Sequence, residues 1–241
     1  MMHARLVAVA ISVVAIRAIV VKSELIDKEN EFAIQYLQKY GYLNEKMQSF
    51  RTAAEQRILQ DSIGFFQEYY KLPITGKLNN ETLNQMRKPR CGLQDVLNHK
   101  TDAIGTKWPK THLTWNFHLA TKTIIDTARM AFHLWQNNSS LTFERDIEHP
   151  DILISWREGN HMNLDARNGE VCPSPLDGPG GVLAHAAYPT GYSNFTSEIH
   201  VDKTEPWHIF LNKNPANKEN LLYVLTHEIG HSLGLPHVKI R

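Results

Sequence analysis

The chain has 241 residues, of which 42% are hydrophobic and 21% are charged, the composition of a globular protein with one or two domains. Its formal net charge of +1 gives no electrostatic basis for binding nucleic acid or an anionic membrane surface. We therefore expect no nucleic-acid partner, and no run beyond the N-terminal segment is long and apolar enough to span a membrane.

The first residues have the pattern of a targeting segment. A weakly basic start is followed by an apolar run over residues 6–16, which Arg17 interrupts. The run is too short to cross a bilayer but fits a signal peptide cleaved near Ser23. We expect residues 1–23 to be removed and the protein to be secreted to the extracellular space or matrix. The alternatives are a buried N-terminal strand and a signal anchor.

Helical periodicity is typical of the next part of the chain. Apolar residues recur at helical spacing over residues 30–43 and 52–70, and a third helix is predicted to start near Asn80. Three short helices indicate a small bundle of roughly 60–70 residues. We assign residues 24–98 to this domain.

The second half alternates between strand and helix patterns. Residues 111–115, 141–143 and 151–156 predict strands, and residues 123–135 predict an amphipathic helix. With the helical first domain, this indicates an α+β protein whose second domain covers residues 99–241.

A histidine motif stands near the end, where residues 227–237 are His-Glu-Ile-Gly-His-Ser-Leu-Gly-Leu-Pro-His. On a helix, His227 and His231 lie one turn apart on the same face and can share a zinc ion. Glu228 lies beside them as the candidate catalytic general base. The glycine and proline that follow can end the helix and turn the chain back, so that His237 becomes the third ligand. The alternative is an ordinary amphipathic helix with solvent-facing histidines.

A second motif ends the helical domain, where residues 89–95 are Pro-Arg-Cys-Gly-Leu-Gln-Asp. The Cys91 thiolate would be a strong zinc ligand and could occupy the position that catalytic water needs. An ion pair between Arg90 and Asp95 could fix the loop. The motif closely resembles the end of the pro-domain in the matrix metalloproteinases, the Pro-Arg-Cys-Gly-x-Pro-Asp cysteine switch. Gln94 stands where that family has proline.

The resemblance extends over residues 30–237 and implies a fold. We expect a three-helix pro-domain followed by a metzincin-like catalytic domain, a twisted mixed sheet with helices. Because the chain ends at Arg241, four residues after His237, we expect this domain to be truncated. It would lack the methionine-containing turn and the final helix. A catalytically incompetent zinc-binding fragment or decoy is therefore the alternative to an active enzyme.

The resemblance also implies a structural zinc. Three histidines match its family ligands: His161, His185 and His200. The family's aspartate position is held by Asn163, so the fourth ligand is open. Asp165 is the first choice, and Cys172, which lies in an insertion, is the second. Cys172 could instead be a free thiol or form a disulfide with Cys91, and the histidines could be hydrogen-bonded residues of a sheet.

Calcium is the other expected metal. Three acidic residues carry oxygens that suit Ca²⁺: Asp177, Asp202 and Glu205. The resemblance adds the backbone carbonyls of Gly178, Gly180 and Val182. It also suggests a second calcium site with Asp151, where Glu198 replaces an aspartate. A solvated acidic loop is the alternative at both places.

Together these features predict a secreted zinc endopeptidase zymogen. By resemblance it would cleave extracellular matrix, including collagen, or other extracellular proteins. Its partners would be these protein substrates, an activating protease that cuts within roughly residues 98–104, and tissue inhibitors of metalloproteinases. A weaker alternative is that the pro-domain is a glycan- or matrix-binding module.

Overall fold

The computed structural model describes residues 27–47, 49–96, 106–165, 169 and 171–238. They form two compact units, one ending at Met86 and one covering Arg87–Val238. The expected signal peptide and the expected activation segment at residues 98–104 lie outside the described residues. Within the described chain, none of the helices combines the length and apolar character that crossing a membrane requires.

Three helices build the first unit, as the periodicity predicted. They are α1 over residues 27–39, α2 at Ala53–Tyr69 and α3 at Asn80–Met86. The core of this unit is aromatic: the Phe66 ring lies 5.5 Å from Tyr36 and 5.3 Å from Tyr42, edge-on in both cases. Ile58, which belongs to the predicted apolar pattern, is instead 44% exposed.

A buried side chain, Gln67, fixes the loop between α2 and α3. Its amide nitrogen lies 2.9–3.0 Å from three acceptors: Thr75 Oγ1, the Lys77 carbonyl and Thr82 Oγ1. Its oxygen accepts hydrogen bonds from the Thr75 and Gly76 amides at 2.8 and 3.0 Å. The side chain thereby satisfies backbone groups that a short loop leaves without helical or sheet partners.

The second unit is built on a six-stranded mixed sheet. Its strands are β1 Arg90–Cys91, β2 His112–Phe117, β3 Thr142–Arg145, β4 Ile152–Arg157, β5 Val182–Ala186 and β6 Ser197–Asp202. The strand order is β1-β5-β6-β4-β2-β3, and every pair is parallel except β5 with β6. Two short strands, β7 Trp207–His208 and β8 Glu219–Asn220, form a separate pair.

Two helices complete this unit: α4 at Lys122–Gln136 and α5 at Leu221–Ser232. They approach closely where Gly230 faces Trp135, since a Cβ atom on Gly230 would lie 3.0 Å from the indole ring. The Trp135 indole N–H donates to the Thr226 carbonyl at 2.8 Å. This contact fixes α5, the helix that carries the histidine motif, against α4. The observed mixture of helices and mixed sheet confirms the α+β prediction.

Candidate metal centres

Helix α5 places the first two histidines of the motif on one face. Their Nε2 atoms are 3.0 Å apart, and each lies 3.0–3.1 Å from Nε2 of His237. Three ring nitrogens therefore converge on one point, as the spacing of His227 and His231 predicted.

The end of α5 delivers His237 to this point. Gly234 has a φ of +98°, and the amides of Gly234 and Leu235 donate to the carbonyls of His231 and Gly230. This pair of hydrogen bonds with a left-handed glycine is the Schellman motif, which reverses the chain direction after a helix. The sharp turn brings back the third histidine only three residues after Gly234.

Hydrogen bonds at the far ring nitrogens orient two of these imidazoles. Nδ1 of His231 lies 2.7 Å from the Leu235 carbonyl, and Nδ1 of His237 lies 3.1 Å from the Gln94 carbonyl. Because a carbonyl only accepts, each Nδ1 carries the proton and each Nε2 turns a lone pair toward the centre. Burial, followed by the neighbouring histidines, lowers the pKa of His227 to about 4 and of His231 to about 3. Neutral imidazole is the form that binds a metal.

Cys91 supplies a fourth ligand atom to the same group. Its sulfur lies within 4.8 Å of the three imidazole nitrogens. Burial, together with the nearby Glu228 carboxylate, raises the pKa of the thiol well above its usual value. A divalent cation would offset this effect, because its charge favours the thiolate. Imidazole nitrogen and thiolate sulfur are both ligands that Zn²⁺ binds, and four of them match its tetrahedral coordination.

Strand β1 and an ion pair position Cys91. β1 runs parallel to β5, and the Gly92 amide donates to the Ala184 carbonyl at 2.8 Å. The Arg90 guanidinium donates two hydrogen bonds to the Asp95 carboxylate, at 2.8 and 2.6 Å. Both side chains of this pair are largely buried, with 12% and 3% exposure. The predicted pinning of the loop is therefore present.

Glu228 is fully buried beside this group. Burial raises the pKa of its carboxyl to about 8, although the Cys91 thiol and the Arg90 charge act in the opposite direction. Neither carboxylate oxygen makes a regular hydrogen bond within the described chain. A carboxyl group with such a pKa can exchange a proton near neutral pH.

A second histidine group lies where β5 meets β6. His185 and His200 face each other across the antiparallel pair, and His161 approaches from the preceding loop. The fourth ligand atom within 4.8 Å is the sulfur of Cys172. The two cysteines thus belong to different groups, and both are free thiols rather than a disulfide.

Asp165, the preferred fourth ligand, lies outside this group of four. Its backbone amide donates to Glu198 at 2.9 Å, as the Leu164 amide does at 2.8 Å. Burial raises the pKa of Glu198, but hydrogen bonds from His200 and these two amides outweigh it and lower the pKa overall. Glu198 therefore anchors the backbone of the loop, while the Cys172 sulfur lies in the histidine group; the identity of the fourth ligand stays a prediction.

The predicted calcium residues converge on the glycine loop before β5. Asp202 accepts from the Gly178 amide at 3.2 Å, and Glu205 accepts from the Gly180 amide at 2.7 Å. Asp177 accepts from the Val182 amide at 2.8 Å. Burial and the charges of Asp202, Glu219 and Asp177 raise the pKa of Glu205. Crowded carboxylates of this kind suit a Ca²⁺ ion, which offsets their mutual repulsion.

Asp151, expected at a second calcium site, is engaged elsewhere. One of its oxygens lies 2.8 Å from the Lys110 ammonium, and the other accepts from the amide and hydroxyl of Thr114 at 2.7 and 3.1 Å. These contacts explain the buried carboxylate without a metal and give the second calcium site no support.

Tyr188, which no sequence pattern indicated, lies beside the group formed by Cys91 and the three motif histidines. Its ring meets His231 edge-on at 5.7 Å, and its buried hydroxyl has no hydrogen-bond partner among the described residues. Burial and the nearby Cys91 and Glu228 raise the pKa of this phenol. No sequence pattern marked it, because a tyrosine just after a buried strand is unremarkable.

Comparison with known proteins gives matches in both units. The family model described as Matrixin matches residues 107–241, and that of a putative peptidoglycan binding domain matches residues 32–86. Interstitial collagenase of Equus caballus is 35% identical over 223 residues, which is 90% of this chain and 44% of that protein.

Two further relatives also match most of this chain but less than half of their own length. Interstitial collagenase A of Mus musculus is 33% identical over 88% of this chain and 43% of its own length. Matrix metalloproteinase-15 of Homo sapiens is 32% identical over 85% of this chain and 32% of its own length. The chain thus spans less than half the length of each of these three relatives.

Proposed function

The chain belongs to the matrixin family, and from this premise we propose that it is a zinc endopeptidase whose own Cys91 thiol keeps it latent. One observation carries the proposal: the Cys91 sulfur and three imidazole nitrogens form a single group of ligand atoms, with the Glu228 carboxyl buried beside it.

The residues of this group fit Zn²⁺. Neutral imidazoles and a thiolate are the ligands that zinc prefers, and His231 and His237 are held in the ligating tautomer by backbone carbonyls. When bound, zinc supplies Lewis-acid chemistry, in which the pKa of a coordinated water falls and a carbonyl is polarised.

Glu228 would move the proton in this reaction. Its buried carboxyl lies next to the position that Cys91 fills in the latent chain. Once that position is free, Glu228 can take a proton from the attacking water and pass it to the leaving amine.

Latency would depend on β1. This short strand occupies the edge of β5, and the ion pair between Arg90 and Asp95 holds its loop closed. Cleavage within roughly residues 98–104 by an activating protease would release the pro-domain together with β1 and Cys91. The exposed edge of β5 could then bind an extended peptide substrate by strand addition.

The natural substrates would be extracellular. Two of the relatives are named interstitial collagenases, which favours proteins of the extracellular matrix, including collagen, as the substrate class. Secretion through an N-terminal signal peptide and inhibition by tissue inhibitors of metalloproteinases belong to the same proposal. Ca²⁺ bound by Asp177, Asp202 and Glu205 would stabilise the glycine loop before β5.

A matched set of variants tests the peptidase function. Cys91→Ser should turn over a quenched fluorescent peptide without any processing, whereas the unmodified chain should be nearly inactive. Adding Glu228→Ala should lower that turnover by a factor on the order of 100 or more, since a general base contributes at least this much. The metal content should stay the same. Bound zinc without chelator-sensitive turnover in Cys91→Ser would refute the endopeptidase and favour a non-catalytic zinc protein.

A further inference from the structure

We propose that the second histidine group is a zinc site of three imidazoles and one thiolate, in which Cys172 is the fourth ligand. This goes beyond the peptidase function and does not depend on it, because the ligands lie on β5, on β6 and in the loop that holds His161 and Cys172, and none of them belongs to the histidine motif.

The distances between the ligand atoms support a single ion. His200 Nδ1 lies 2.9 Å from His161 Nε2 and 3.1 Å from His185 Nε2, and the Cys172 sulfur lies 3.3 Å from His185 Nε2. Four ligands of a tetrahedral zinc with ordinary bond lengths are about 3.3–3.6 Å from one another. The observed separations are within a few tenths of an ångström of that arrangement.

The hydrogen bonds of the outer imidazole nitrogens also support a bound metal ion. His161 Nδ1 lies 2.9 Å from the Gly159 carbonyl, and His200 Nε2 lies 2.9 Å from the Glu198 carboxylate. Both outer nitrogens therefore carry the proton, so that two inner lone pairs face each other at 2.9 Å. A proton between them could serve only one pair of atoms, whereas a cation at the centre serves all four ligands.

The fold of the inserted loop explains why a thiol reaches the centre. Met162 and Val171 form an antiparallel bridge, and the Cys172 amide donates to the His161 carbonyl at 3.0 Å. The two ends of the loop are therefore paired, and this pairing places Cys172 next to His161. Glu198 holds the backbone of Asp165 within the loop between these two bridge residues.

Cobalt substitution tests this ligand set. A thiolate bound to Co²⁺ gives a strong near-ultraviolet charge-transfer absorption that nitrogen and oxygen ligands do not give. The full chain with Cys91→Ala removes the other thiol, so any such band must come from Cys172. We expect the band in this variant and its loss when Cys172→Ser is added. Cys172→Asp should also lose the band but keep about two metal ions per chain, because a carboxylate can take the same position.

Asp165→Ala in the Cys91→Ala chain is the matched control. It should keep both the band and the metal content, since Asp165 lies outside the ligand group. The proposal is overturned if the Cys91→Ala chain shows no charge-transfer band, or if Asp165→Ala removes a metal ion while Cys172→Ser does not. Circular dichroism of every variant would show that it is folded. Because no readout involves turnover, failure here is distinct from failure of the peptidase proposal.

Discussion

At the residue scale, the two thiols of the chain belong to different groups of ligand atoms, and both groups lie next to β5. Ala184 pairs with Cys91, while the next residue, His185, turns to the group that contains Cys172. A Cβ atom on Gly92 would lie 2.9 Å from Val182 Cγ1 and 3.3 Å from His185 Cβ, so a larger residue there would require β5 or the segment of residues 89–95 to shift. Successive residues of β5 therefore lie next to different groups of ligand atoms.

Arg90→Ala should loosen the segment of residues 89–95, which carries Cys91. It leaves the Asp95 carboxylate buried without its ion-pair partner, which costs about 3–5 kcal/mol unless the loop moves into water. We expect faster modification of Cys91 by a thiol reagent and higher turnover by the unprocessed chain. The exposed Arg57 on α2 provides the control, because Arg57→Ala should change neither rate. Equal protection of Cys91 in both variants would show that the ion pair does not hold the loop.

At the element scale, the turn after α5 determines whether three histidines meet. Gly234 carries a φ of +98°, and a Cβ atom there would lie 2.6 Å from the Thr106 carbonyl oxygen. The left-handed conformation itself costs an L-residue roughly 1–2 kcal/mol.

Gly234→Ala should therefore displace His237 while α5 remains intact. The expected result is zinc binding at the first centre that is weaker by a factor on the order of 10 or more, matching that strain. Isothermal titration calorimetry in the Cys91→Ala chain would measure it. Gly64→Ala on α2 is a suitable control, because its Cβ would meet nothing closer than 3.7 Å. Unchanged zinc affinity in Gly234→Ala would mean that the turn is not what positions His237.

Helix α2 of the first unit begins with a capping box. Thr52 accepts from the Glu55 amide, and the Glu55 carboxylate accepts from the Thr52 amide at 2.9 Å. The hydrogen bond from the Thr52 amide is the main reason that the pKa of Glu55 is lowered. A lowered pKa in the folded state stabilises the fold above the carboxyl's unfolded pKa, and this contribution is lost as the pH falls through the folded value.

Thr52→Ala should lower the free energy of unfolding of the first unit by about 1 kcal/mol at neutral pH. The amide of residue 52 still donates to Glu55 in this variant, so both proteins should lose stability in parallel as the solution is acidified, and the difference between them should stay nearly constant. Far-ultraviolet circular dichroism in a urea series at several pH values would measure both effects. A difference that disappears on acidification would show that the Thr52 hydroxyl, rather than the Thr52 amide, is the main cause of the lowered pKa of Glu55.

At the scale of the whole molecule, local patterns predicted most elements but not every contact. The helices of both units follow apolar periodicity, and the histidine spacing alone placed His227 and His231 together. Strand β6 reads Ser-Glu-Ile-His-Val-Asp, an alternation typical of a strand with one exposed face, yet it is buried at every position, so the pattern alone would place its polar side chains in solvent. The choice between Asp165 and Cys172 depended on how an inserted loop closes, which is a tertiary property without a sequence signal.

On activation, the Cys91 thiol should leave its metal while the Cys172 thiol stays bound. Zinc-edge X-ray absorption measures this directly, because sulfur and nitrogen ligands differ in bond length, about 2.3 against 2.0–2.1 Å. The latent chain should show an average of about one sulfur and three nitrogens per zinc. After removal of the pro-domain, the average should fall to about half a sulfur per zinc, and peptide turnover should appear at the same time. A sulfur count that does not change on activation would show that Cys91 is not a zinc ligand in the latent chain.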